Sequence, residues 1–187
     1  MPNPPALLLP AAAIAIASAI LPGPASAEVV SVSGNGFVVR ETLQIAAPPE
    51  KVYAALIKPA DWWSSDHTFS RNAANLSLDA KAGGCFCEAL AGGGSVRHQE
   101  VVLAAPGRQL VMRGALGPLQ ATGTIDAFAF ELVPDGAATK LTVTFTAGGY
   151  LAEGFDDWAK KVDFVVSTQA ARLKQFVETD SPSGGKP

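Results

Sequence analysis

The chain has 187 residues, enough for one ordinary domain with a hydrophobic core of its own. Its formal charge is −3 and it carries no block of like charges, which excludes the basic field that collects nucleic acid. Hydrophobic residues make up 48%, a share raised by the first stretch of the chain, whereas aromatic residues are scarce at 7%.

That first stretch, 1–27, has no charged side chain. Residues 11–21 are apolar but too few to cross a bilayer, which takes roughly 20 residues. Pro22, Gly23 and Pro24 break any helix, and the small residues Ala25, Ser26 and Ala27 follow where a signal peptidase cuts. The pattern predicts a secretory signal peptide over 1–27, removed before Glu28, and a protein that is periplasmic or secreted. No stable membrane span is expected after cleavage, and the lack of a cysteine near the cut speaks against a lipoprotein.

Residues 28–35 read as a polar linker. "FVVRETLQIAA" (37–47) then alternates as a strand does, with Phe37, Val39, Leu43 and Ile45 on one face. Glu41 falls on that apolar face. In "PPEKVYAALIKPADWW", Pro49 and Glu50 suit a helix start, Val52, Ala55 and Leu56 make a short stripe, and Pro59 ends it. Asp61 caps a second short helix carrying Trp62 and Trp63. Neighbours on a helix point about 100° apart, so the two indoles cannot face one place. One is expected to anchor the helix to the core and the other to line a cavity or its rim.

Strand candidates follow at 75–80, 84–90, 95–105 and 110–116. The glycines at 92–94 read as a hairpin loop, which sets His98 opposite Glu88 and Cys87 opposite Gln99. In 126–133, Phe128, Phe130 and Leu132 point inward; "PDG" (134–136) is a turn; in 139–147, Leu141, Val143 and Phe145 point inward. From 155 to 177 there is no Gly or Pro, and Phe155, Trp158, Val162, Val165, Gln169, Leu173 and Phe176 recur at helical spacing. Residues 179–187 are a frayed, disordered tail.

A run of antiparallel strands must bury its apolar face, and the last helix is the one element long enough to cover it. The expected class is therefore α+β: a curved antiparallel β-sheet wrapped on a long C-terminal α-helix, with two short helices after the first strand. This order resembles the helix-grip fold of the START/Bet v 1-like superfamily. The nearest branch is the Hsp90-ATPase-activator-like group often labelled polyketide cyclase. The strings that carry the likeness are "IAAPPEKVYAALIKPADWW" (45–63), "AGGCFCEAL" (82–90), "APGRQLVMRGALGP" (105–118) and "VDFVVSTQAARLKQFVE" (162–178). It covers about residues 36–178, taken as one domain. The superfamily includes lipid carriers, ligand sensors, cyclases and co-chaperones and has no shared catalytic motif, so the resemblance implies a fold and a cavity. The co-chaperone members act on a cytosolic partner, which the leader argues against.

On that fold the expected cavity lining is Trp62, Trp63, Phe128, Phe130, Trp158, Val162 and Val165, and the expected partner is a hydrophobic small molecule. The acid–base candidates are His98, Glu88 and Glu41. His98, Glu88 and Glu100 share a strand face; Glu41 and Arg113 are charges on largely apolar strands, costly to bury unless paired and ordinary at a strand end in water. Asp66 and His67 lie beside the tryptophans without a recognisable Ser or Cys nucleophile. Cys85 and Cys87 share a strand face at a spacing near the upper limit for a bridge, roughly 6.8 Å, and read as two small buried hydrophobes. With no Cys-x-x-Cys, phosphate loop or dinucleotide fingerprint, no metal and no cofactor is expected. The expected function is an exported binder of a hydrophobic ligand held between sheet and helix. The alternatives are a cyclase-like or related enzyme using the same cavity, and a co-chaperone-like partner-binding protein.

Overall fold

The computed structural model describes Met1 and residues 28–183. The expected signal peptide and the last four residues of the expected tail lie outside the described residues. Eight antiparallel strands form one sheet: β1 (Glu28–Ser33), β2 (Gly36–Ile45), β3 (Leu76–Leu78), β4 (Cys85–Ala89), β5 (Ser95–Ala105), β6 (Gln109–Gly114), β7 (Gly123–Asp135) and β8 (Ala138–Tyr150). Their spatial order is β1-β2-β8-β7-β6-β5-β4-β3. Two short helices, α1 (Pro49–Leu56) and α2 (Pro59–Trp62), follow β2, and the long helix α3 (Asp156–Thr179) closes the chain. This is the α+β helix-grip architecture.

Local chemistry sets each element. Pro49 opens α1 and Pro59 opens α2, where a missing N–H costs nothing. The β7–β8 hairpin turns through Gly136 at φ 60°, which a glycine adopts without strain. Phe128, Phe130 and Leu132 of β7 and Leu141, Val143 and Phe145 of β8 are all buried, as their alternation requires. Asp156 and Asp157 sit in the first turn of α3, where the helix dipole favours negative charge, and Asp180 ends the helix in the left-handed conformation.

Three local differences from the sequence reading have physical causes. Residues 28–33, expected as linker, pair with β2 as β1. The valines of "EVVSVS" supply strand propensity, and the edge of β2 supplies the hydrogen-bonding groups. On α3 the fully buried positions are Ala159, Val166, Gln169, Ala170, Leu173 and Val177, whereas Trp158, Val162 and Val165 are only half-buried. The stripe divides because one part packs on the sheet and the other faces a hollow. Finally, Cys85 and Cys87, read as two small buried hydrophobes, are half-buried and form a disulfide with Cα atoms 5.4 Å apart. A β-bulge between β4 and β5 lies between Phe86 and Cys87, within the segment the disulfide spans.

Candidate functional site

The bulge decides which polar groups face inward. Cys87 pairs with Arg97 and Phe86 pairs with Gln99, so His98 is the extra residue on β5. The hairpin loop is five residues, 90–94, closed by Leu90 N–H donating to Gly94 O at 2.8 Å, not the three glycines alone. His98 and Gln99 are consequently consecutive and both buried. The expected Glu88/His98/Glu100 face is broken: Glu88 and His98 turn inward, while Glu100 turns out and meets Arg97 at 3.3 Å. Gly114 makes room for this, since a Cβ there would stand 2.7 Å from the His98 carbonyl oxygen and 2.9 Å from Gln99 Cα. Arg113, next to it, is exposed.

Glu88 is 1% exposed and collects three donors. Phe69 N–H donates at 3.1 Å, Ser70 N–H donates as well, and His98 Nε2 lies 3.0 Å away. Burial pushes the Glu88 carboxyl up, but the hydrogen bonds from Ser70, Phe69 and His98 together bring it below its ordinary value. A carboxylate therefore faces His98 Nε2, which must carry the proton. Burial holds His98 below its ordinary value against the pull of Glu88, so the ring is neutral. Its Nδ1 is then a lone-pair acceptor, and that atom has no hydrogen-bond partner.

A cavity of ≈ 490 Å³ lies between the sheet and α3. From the sheet come Phe86, His98, Phe128 and Phe145; from α3 come Trp158, Lys161, Val162, Val165, Val166 and Gln169. Trp63, Asp66, His67, Thr68, Phe69 and Leu76 close one side, and the turn Leu116, Gly117, Pro118 and Leu119 closes another. That turn is held by Asp126, which accepts from Leu116 N–H at 2.6 Å and from Gln99 Nε2–H at 2.5 Å. Burial nevertheless pushes the Asp126 carboxyl up.

The tryptophans part company at the end of α2. Trp62 is 2% exposed, donates from Nε1 to Ala55 O at 3.0 Å, and lies outside the cavity. With Leu56, Pro59, Met112 and Phe130 it surrounds a void of only ≈ 10 Å³, so Trp62 and Phe130, both expected as cavity lining, are packed core. Trp63 lines the cavity, sets its ring edge-on to Phe86 at 5.6 Å, and donates to His67 O at 3.0 Å. Phe128, Trp158, Val162 and Val165 also line it. Glu41 does not. It is buried on β2, its Oε2 lacks a partner, and burial together with nearby Asp163 on α3 pushes its carboxyl up.

Sequence reasoning missed how α3 locks the cavity wall. Gln169 Oε1 accepts from Ser64 N–H at 2.9 Å, which leaves its amide NH₂ to donate to His67 Nδ1 at 2.7 Å. His67 thus carries its proton on Nε2. Arg172 donates to the carbonyl oxygens of Trp62, at 2.8 Å, and Trp63. A glutamine on an otherwise apolar helical stripe was the one visible signal for this lock; Asp126, two residues before Phe128 and so on its inward face, was the signal for the other network. Among the described residues no group of three or more His, Cys, Asp or Glu could hold a metal ion, and no helix is long and apolar enough to cross a membrane.

A curved sheet gripping one helix around an apolar cavity defines the structural class. The family described as "Polyketide cyclase / dehydrase and lipid transport" matches residues 37–178, and this chain belongs to it. Its fold is similar to that of CalU16 from Micromonospora echinospora, with 17% identity, a TM-score of 0.55, and coverage of 83% of this chain and 84% of that one. A conserved protein of unknown function, EF2215 from Enterococcus faecalis, gives 16% identity and a TM-score of 0.57, covering 87% of this chain and 83% of that one. The Aha1 dimer from Colwellia psychrerythraea gives 20% and 0.52, covering 76% and 96%. Among curated protein sequences none matches the chain.

Proposed function

We propose that this protein is an exported binder of a hydrophobic small molecule, held in the cavity between the sheet and α3. The observation that carries the reading is the cavity itself: ≈ 490 Å³, walled mainly by Trp, Phe, Leu and Val side chains with a few polar groups among them. That combination of volume, apolar lining and sparse polar contacts is what a ligand pocket of this size consists of. A protein that worked only through its surface would gain stability by filling such a space, because an empty apolar cavity is destabilising. The lipid-transport description of the family agrees with the same reading. Export rests on the leader pattern of 1–27.

Native mass spectrometry of the protein purified from its own host tests both parts. A chain beginning at Glu28 with a bound apolar molecule is the expected result. A chain beginning at Met1 would remove export. A chain that arrives empty and takes up no member of a panel of fused-ring and acyl probes would remove the binding reading.

One observation favours a second reading, an enzyme of cyclase-like type. A neutral histidine oriented by a buried carboxylate and lying on a cavity is the arrangement of a general base. Substitution of His98 by Ala separates the two: a carrier retains an apolar probe, whereas an enzyme loses turnover while still binding.

A further inference from the structure

We propose that Cys85 and Cys87 form a reversible thiol–disulfide site, and that its redox state sets the position of Phe86 in the cavity wall. The effect on a ligand rests on the cavity being a ligand site; the redox chemistry does not. The two cysteines lie two residues apart on β4 and are bridged. Both are half-buried on the outer face of the sheet. Their partners across the ladder are exposed Ser77 and Arg97 beside Cys87 and partly exposed Glu100 beside Cys85. The edge strand β3, which flanks β4, is only three residues long. A dithiol approaches this face from solvent, without entering the cavity.

Phe86, between the two cysteines, turns the other way. It is 2% exposed, lines the cavity, and packs its ring against Trp63 at 5.6 Å and His98 at 5.1 Å. The bridge holds the Cα atoms on either side of it 5.4 Å apart, where ideal strand spacing gives roughly 6.8 Å. The shortened segment also carries the bulge after Phe86, which turns His98 inward. Opening the bridge frees the segment to lengthen toward ideal spacing. One bond on the outer face thus bears on two residues of the inner wall.

Reduction takes two electrons from a dithiol. One of its thiolates attacks Cys85 Sγ; a mixed disulfide forms, the Cys85–Cys87 bond breaks, and Cys87 leaves as a thiolate. Arg97, across the ladder from Cys87, favours charge on that leaving group, whereas Glu100 stands across from Cys85. The second thiolate of the dithiol then attacks its own half of the mixed disulfide and releases Cys85. The two protons that the dithiol loses equal the two that Cys85 and Cys87 gain, and the dithiol ends as a disulfide. Oxidation by a disulfide runs the same steps backward.

The test treats the purified, folded protein with dithiothreitol in the absence of denaturant. The intact mass should rise by two hydrogens and return on exchange into oxidised glutathione. A bridge that yields only in urea would overturn the proposal, as would a pair of thiols that oxidised glutathione cannot close. The link to the cavity is read by NMR at the indole N–H of Trp63, which should shift on reduction while that of Trp158, on α3, stays put. A Trp63 signal indifferent to reduction would overturn the link. Naphthalene, titrated calorimetrically, should bind the oxidised form roughly fivefold more tightly, the worth of one aromatic contact. The double variant Cys85→Ser/Cys87→Ser should bind as the reduced protein does and ignore dithiothreitol. If it does not fold, reduced wild type carries the same comparison. Equal affinity in both redox forms would overturn the effect on the ligand. Naphthalene bound by neither form would instead remove the ligand reading and leave the mass and indole results to decide the redox site.

Discussion

Glu88 and Glu41 lie on the inner face of the same sheet, 1% and 2% exposed, yet their carboxyls move in opposite directions from the ordinary value. Glu88 is ionised because two backbone N–H groups and a histidine converge on it. Glu41 has an oxygen with no partner and another carboxyl, Asp163, nearby, so burial pushes its carboxyl up. Burial opposes charge at both positions; the supply of donors decides which way each carboxyl moves. The difference also separates site from scaffold. Glu88 orients a cavity histidine, whereas Glu41 lies on β2 near Asp163 of α3 and does not line that cavity.

The contrast can be broken most severely at Glu88. Glu88→Ala leaves three donors without their acceptor, the buried His98 among them, and should cost roughly 3–5 kcal/mol in urea unfolding. A loss below about 1 kcal/mol, the worth of a single ordinary hydrogen bond, would mean that Glu88 is not the anchor described. Gly114→Ala comes next, at about 2 kcal/mol, because its Cβ would meet backbone at the bulge that turns His98 inward. The same substitution should weaken probe binding, which a merely looser strand elsewhere in the sheet would not do.

A smaller effect is expected from pH. His98 has its folded-state value below the ordinary 6.5, chiefly through burial, so in acid the unfolded chain binds a proton that the folded chain refuses. Its contribution is fully present above about pH 6.5 and is lost as pH falls toward the folded value. His67 acts in the same direction. Glu41, Asp126 and Asp163, whose carboxyls are pushed up, act in the opposite one. The difference in stability between wild type and His98→Leu isolates the term and should shrink between about pH 7.5 and 5.5. A constant difference would place the proton of His98 elsewhere. The smallest effect belongs to Glu41→Gln, expected within about 1 kcal/mol of wild type because the oxygen it replaces has no partner to lose and burial already disfavours its charge. A loss of several times that would show Glu41 to be charged and paired.

The fold was legible because its signals are periodic and long-range in sequence. The alternation of 126–133 and 139–147, the prolines at 49 and 59, and the unbroken helix from 155 left little room for another architecture. The site was legible only in its residue types. Glu88 and His98 stood out as polar groups among Phe86 and Val96, but their pairing depended on a one-residue bulge that no local pattern announces. The same bulge parted Glu100 from His98, and it lies within the Cys85–Cys87 bridge, which the ideal strand spacing argued against. Trp62 and Trp63 show the limit of helical geometry. The 100° rule separated them, but only the end of α2 and the carbonyl of His67 determined which one lines the cavity.

The central claim is that the space between sheet and α3 is where a ligand sits. Val165 lies on α3 at the cavity wall, and Val165→Trp fills space there while leaving Glu88, His98 and Gln169 themselves unchanged. Naphthalene titrated calorimetrically into wild type and variant, both checked for folding by circular dichroism, measures the claim directly. The account predicts binding to wild type and a loss of roughly tenfold or more in the variant. Equal binding to both proteins, or none to wild type, would contradict it.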